Sequence, residues 1–285
     1  MMTSSNINQL SNSIVRSKES IPVILTTVVF FISAYFIMQG CGKADKNTLK
    51  LFCGGGIRPP INEIIELFKE ETGIEVKPTY AGSGVLLTQI QLTQDGDLYM
   101  PGDEMFMSRA EEKGYITEKK FAGYFIPVLM VQKGNPEGIT SLADMGKPGV
   151  RVGVGDPEAC AVGEITKSIL EKNAPPLSPP STGGKEGGLV RENVVYTSAT
   201  VVELANAVKL KTIDVAVVWD ATAALYTDDT EIVPIPQEQN VIARIPIGVL
   251  NFSQNKELAR TFMDFVISDR GRSIFEKHGY TTKLH

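Results

Sequence analysis

Apolar residues in this chain follow two alternating periodicities. Residues 49–53 (Leu-Lys-Leu-Phe-Cys) form a short apolar strand running into Gly54, Gly55 and Gly56. Pro59 and Pro60 come next, and proline is tolerated in a first helical turn. Ile61, Ile64, Ile65 and Phe68 then recur at helical spacing until Gly73. Residues 74–80 read as a strand, 81–84 (Ala-Gly-Ser-Gly) as a small-residue loop, and 85–92 as a helix. Residues 98–100 give a short strand, and Asp103 caps a helix through Glu112. The same pattern resumes with strands over 125–131 and 150–154, then a loop over 155–163 and a helix to Lys172. Residues 173–188 hold four prolines and four glycines and predict a solvent loop. A strand (194–196), a helix (201–210), two strands (215–219 and 245–250) and one or two closing helices (257–275) complete the chain.

This β-α alternation predicts an α/β fold of mostly parallel sheets flanked by helices. In such sheets, ligands sit where loops leave the carboxyl ends of strands. The loops after Phe52, Tyr80 and Val154 are of this type. Each leads to a helix start, where backbone N–H groups lack intrahelical partners.

The first forty residues follow a different pattern. Arg16 and Lys18 precede an uncharged, apolar run over 21–38, about long enough to span a bilayer. That order of basic and apolar segments is expected of an export signal or membrane anchor. Gly40-Cys41 resembles a bacterial lipoprotein cleavage site, with Cys41 as the lipidated residue; the alternative is an uncleaved anchor. Residues 1–40 are then signal or anchor and 41–48 a tether, with the remainder outside the cytoplasmic membrane.

The length of 285 residues suits two modest lobes. A net charge of −5 with no basic stripe disfavours nucleic acid as a partner. The only histidines are His278 and His285, and no nucleophile–base pair is visible, so an enzyme is not expected. Cys41, Cys53 and Cys160 lack CxxC spacing, which argues against structural zinc. No cofactor is expected. Asp156, before Pro157, and Asp97 and Asp103 read as turn and loop caps rather than a catalytic acid or a metal pair. Cys53 and Cys160 read as free thiols; a disulfide, or a soft-metal site with Glu158, is the alternative.

From about Leu49 to Lys283 the chain resembles the periplasmic molybdate- and tungstate-binding proteins of ABC importers. The resemblance rests on an ordered set of segments: residues 68–76 (Phe-Lys-Glu-Glu-Thr-Gly-Ile-Glu-Val), 81–90 (Ala-Gly-Ser-Gly-Val-Leu-Leu-Thr-Gln-Ile), 96–103, Gly155-Asp156-Pro157-Glu158 with Gly163, and the tail 270–280. It implies a two-lobe clamshell with two hinge crossings. Lobe 1 would comprise 49–127 and 246–285, and lobe 2 residues 128–245. It also implies capture of a tetrahedral oxyanion and delivery to a permease with its ATPase, by a protein acting as a monomer. Another small anion, a metal chelate, or a sensor role beside a membrane partner are the alternatives.

Carried over by position, the resemblance assigns ligand contacts to Ser83, with Gly84 in the same loop, to Val162 or its neighbour Ala161, and to Val201. A first-loop serine of the family falls at Gly56, and its tyrosine falls at Trp219, whose indole N–H donates but cannot accept. Arg58 is a candidate replacement for the lost serine, or else an exposed arginine at a helix start. Four helix starts, after Gly56, Gly84, Val162 and Thr200, would together offer about two positive charges to a dianion.

Overall fold

A computed structural model describes residues 47–173 and 188–284. The apolar segment before residue 47, Cys41, and most of the proline- and glycine-rich loop lie outside the described residues. Among the described residues, no helix is long and apolar enough to cross a membrane.

The chain runs as β1 (Thr48–Gly54), a 3₁₀ turn (Gly55–Ile57), α1 (Arg58–Thr72), β2 (Glu75–Ala81), α2 (Ser83–Thr93), β3 (Leu98–Met100), α3 (Glu104–Glu112) and β4 (Ile116–Phe125). It continues through β5 (Pro127–Gln132), β6 (Val152–Gly155), α4 (Ala161–Lys172), α5 (Gly188–Glu192), β7 (Val194–Ser198), α6 (Val201–Lys209) and β8 (Val215–Trp219). It ends with α7 (Asp220–Ala223), β9 (Thr230–Pro234), β10 (Ala243–Leu250), α8 (Lys256–Ile267) and α9 (Asp269–Lys277).

These strands build two five-stranded sheets, ordered β2-β1-β3-β10-β4 and β7-β6-β8-β5-β9. Both are mixed. In the first, β1 pairs in parallel with β2 and β3, and β10 is antiparallel to β3 and β4. In the second, β6 pairs in parallel with β7 and β8, and β5 is antiparallel to β8 and β9. Helices flank each sheet, giving the two-lobe α/β architecture expected of the clamshell.

The chain passes between sheets at Ile126 and again over residues 235–242. The single strand expected over 125–131 is therefore two strands in different lobes. Phe125 and residues 127–132 are all buried, so hydrophobicity alone does not show where one sheet ends. β4 and β9 carry no clear apolar alternation because each is an edge strand with half-exposed polar positions, such as Lys119 and Glu231.

Sequence chemistry explains the helices that bear on the cleft. Proline enters α1 in its first turn, and Gly73 ends it at φ 70°. The buried face of α1 brings Phe68 against Phe262 and Phe265 of α8, with ring centroids 5.1 and 5.3 Å apart. Ser268 caps α9 through a bond from the Gly271 N–H, which divides the closing segment into two helices.

One buried carboxylate ties three strands of the second lobe. Asp214, just before β8, accepts from the Arg151 backbone N–H (2.7 Å) and guanidinium (2.6 Å) and from Gln132 Nε2 (2.9 Å). Arg151 precedes β6 and Gln132 ends β5, so this knot fixes where β8 starts. Its partner arginine is half exposed, which moderates the cost of losing the carboxylate. Asp214→Ala should lower stability by about 2 kcal/mol in urea denaturation, and the melting temperature by roughly 4–8 °C.

Candidate functional site

Four helices begin at one place between the lobes. α1 follows the turn Gly55–Ile57, α2 begins at Ser83, α4 at Ala161 and α6 at Val201. Between them lies a cavity of about 20 Å³ lined by Gly54–Ile57, Ala81–Ser83, Gly102, Phe125, Cys160–Val162, Thr200, Val201 and Trp219. A single water needs roughly 10–15 Å³ on the same measure, so only a compact group fits. No charged side chain lines the cavity.

Its walls are rich in donors. The Gly163 and Glu164 N–H groups turn back to the Cys160 carbonyl, at 3.1 and 3.4 Å. That leaves the Ala161 and Val162 N–H groups as the orphan donors of α4. At α6, Thr200 takes the Glu203 N–H on its hydroxyl and the Leu204 N–H on its carbonyl, which leaves the Val201 and Val202 N–H groups, of which Val201 lies on the cavity wall. Ser83 is the first residue of α2 rather than its cap, and it is 3% exposed. Its Oγ accepts from the Gly102 N–H at 3.0 Å, which leaves the hydroxyl proton for the cavity. Trp219, 2% exposed, ends β8 on the cavity wall, and its indole N–H has no acceptor among the described residues.

Gly56 and Trp219, two independent departures in the sequence, are one structural event. A Cβ on Gly56 would lie 3.0 Å from Val201 Cγ1 and 3.1 Å from Trp219 Cδ1. The indole fills the space a side chain at 56 would take. It stacks on Phe125 of the other lobe (4.5 Å, 11°), and Phe125 meets Tyr280 at 5.5 Å. The Tyr280 hydroxyl donates to the Gly56 carbonyl, holding the glycine turn from behind. Phe125 and Tyr280 were not singled out from sequence as parts of the site; the Gly279-Tyr280 pair at the end of the tail was the available signal.

Gly84 and Arg58 are not on the cavity wall. The Gly84 N–H donates to the Ala159 carbonyl of the opposite lobe at 2.9 Å, and a Cβ there would overlap the Glu158 carbonyl. Beside it, Arg109 pairs with Glu158 across the cleft at 3.1 Å. Gly84 is thus a seam where backbone meets backbone in a closed arrangement. The Arg58 guanidinium stacks on Tyr80, 4.7 Å from the ring centroid, in a neighbouring recess. Residues 56, 83, 161, 162, 201 and 219 do meet at the cavity.

Both described cysteines are free and buried. Burial pushes the Cys53 thiol far above its ordinary range and the Cys160 thiol up to about 11. Both are protonated at neutral pH, the form that does not ligate metals. Among the described residues, no cluster of three or more His, Cys, Asp or Glu is placed to hold a metal ion. Asp156 Oδ1 accepts from the Glu158 N–H, and Asp97 accepts from the Lys50 N–H and Ser253 hydroxyl, so both serve as loop caps.

The profile of the bacterial extracellular solute-binding proteins matches residues 49–281. The chain belongs to that family. The molybdate-binding protein ModA of Escherichia coli is 24% identical to this solute-binding protein over 265 residues, covering 87% of this chain and 94% of ModA. The Azotobacter vinelandii periplasmic molybdate-binding protein superposes with a TM-score of 0.66 at 15% identity, covering 83% of this chain and all of that one. The sulfate-binding protein SubI of Mycobacterium tuberculosis gives 0.70 at 19% identity, covering 82% of this chain and 86% of SubI.

Two substitutions in this solute-binding protein test the geometry. Gly84→Ala places a methyl group in the seam, so it should weaken ligand binding by at least about tenfold, or 1.4 kcal/mol. The melting temperature without ligand should fall by less than the loss of affinity implies, because once the lobes part the Cβ meets only the Phe106 ring edge of its own lobe, 2.9 Å away, which must shift. The second concerns Asp103, which is 2% exposed and has one oxygen without a partner. Burial pushes its carboxyl from 3.8 up to about 6 against the opposing bond from the Phe106 N–H. The stability gained by keeping it neutral is complete below pH 3.8 and lost as pH rises through 6. Asparagine caps equally well, so Asp103→Asn should be more stable than the native protein at pH 8. The gain is up to about 2–3 kcal/mol by chemical denaturation, and it should vanish near pH 4.

Proposed function

We propose that this solute-binding protein captures a small tetrahedral oxyanion, molybdate or tungstate, between its lobes and delivers it to an ABC permease with its ATPase. The cavity carries the proposal: it is compact, lies between the lobes, and offers donors without a carboxylate. A fully ionised tetrahedral dianion has only acceptor oxygens, so every donor on the wall finds a partner. The four helix starts supply about half a positive charge each, which together balance two negative charges without a buried lysine or arginine. Hydrogen bonds to a charged group contribute roughly 1.5–3 kcal/mol each. Several of them, less the cost of dehydrating the anion, support micromolar or tighter binding. The similarity to ModA over most of both chains points the same way.

Ser83, Val162 or Ala161, Val201 and Trp219 are the proposed ligand contacts. Delivery follows from the two-lobe design: the open form loads, closure buries the anion, and the closed form is what a permease recognises. We further propose that the apolar segment before residue 47, or a lipid on Cys41, tethers the protein to the outer face of the membrane. Sulfate is the second reading, favoured by the same donor-only wall and by the structural likeness to SubI. Inorganic phosphate carries a proton near neutral pH and finds no carboxylate to receive it.

Calorimetric titration at pH 7.5 with molybdate, tungstate, sulfate and phosphate tests this. Molybdate or tungstate should bind one to one with micromolar or better affinity and phosphate far more weakly. Tighter sulfate would reassign the cargo. Ser83→Ala should weaken binding by roughly 10- to 100-fold, the loss of one charge-assisted hydrogen bond. An unchanged affinity would remove Ser83 from the site.

A further inference from the structure

Beside the anion cavity lies a second, larger space between the lobes, of about 390 Å³. The two spaces meet at Gly55, Gly56, Ala81 and Thr200, which line both. A bare oxyanion uses only the first. The second is furnished with groups the proposed function leaves idle. Arg58 stacks on the Tyr80 ring, and its guanidinium has no carboxylate partner among the described residues. The ring is itself held, since the Tyr80 hydroxyl donates to Asn62 Oδ1 at 2.6 Å. From the other lobe, Thr222 lines this space, and its hydroxyl makes no hydrogen bond among the described residues. That hydroxyl opens onto the space, where a ligand group can take it as a partner. Tyr226 closes the far side, and Glu203 there accepts from the Ser198 hydroxyl.

We propose that this space is a subsite for the organic substituent of an oxyanion ester, so that the protein also binds small phosphate monoesters bearing a carboxylate. The inference rests on the oxyanion reading of the first cavity and extends its ligand class. A monoester loses its second proton near pH 6, so above pH 7 its head offers acceptors only, as the inorganic dianions do. Inorganic phosphate, which keeps a proton, does not match this wall. Three terminal oxygens face the helix starts, and the ester oxygen leads the substituent past the glycines. The first cavity is too small for a substituent, so it has to enter the second. There a carboxylate meets Arg58, with its planar pair of donors, and the Thr222 hydroxyl.

The test is calorimetry at pH 8 with molybdate, 2-phosphoglycolate and methyl phosphate on the native protein, Arg58→Ala and Thr222→Val. Phosphoglycolate should bind one to one, compete with molybdate, and bind at least tenfold tighter than methyl phosphate. Arg58→Ala should lower the ratio of phosphoglycolate to molybdate affinity about tenfold, and Thr222→Val about threefold or more. If molybdate binds and phosphoglycolate does not, or does so without competing, the subsite is wrong while the anion cavity stands. An affinity ratio unmoved by both variants overturns it equally. If phosphoglycolate binds through Arg58 and molybdate fails, the subsite stands and the inorganic cargo is wrong. Failure of both ligands overturns both.

Discussion

An α-helix cannot satisfy its own first N–H groups, and the arrangement of this protein follows from where that deficit is directed. α1 and α2 belong to one lobe, α4 and α6 to the other. Only when the lobes close do all four starts face one small volume. The glycine turns exist to let backbone come that near. Gly82 and Gly84 leave room for the Ala159 and Glu158 carbonyls, and Gly56 leaves room for the indole. On the proposed oxyanion reading, binding and closure are one event, because the donors are divided between the two lobes.

Much of this was legible in sequence because the signals are local. A strand, a run of small residues and an amphipathic helix announce themselves through spacing, and three such units lead to helix starts on the cavity wall. Ser83, Ala161, Val162 and Val201 lie near helix starts, where orphan donors must be. What sequence hid depends on distant residues meeting. Whether Arg58 points into the cavity depends on Tyr80, which captures it. The compensation between Gly56 and Trp219 joins residues 163 positions apart, each unremarkable by itself. The strand change at Ile126 is invisible because both sides of the crossing are equally buried.

Asp103 shows a different economy. It caps α3 through one oxygen and leaves the other unpaired in the interior, beside the segment that supplies Gly102 to Ser83. Its neighbours include Glu164 of the opposite lobe, so its proton affinity is a property of the closed seam as much as of its own helix. The two thiols near the site are the reverse case: burial keeps them inert, and Cys160 is occupied with the Ser198 carbonyl.

The stack of Trp219 on Phe125 has a practical side. Trp219 is the only tryptophan in the chain, and it stands in the cavity wall with one ring face against the other lobe. Any movement of the lobes changes what lies over that face, and any anion in the cavity changes the field at its N–H. The protein thus carries its single tryptophan at the junction of the two lobes, so that selectively excited indole emission follows that junction without a label.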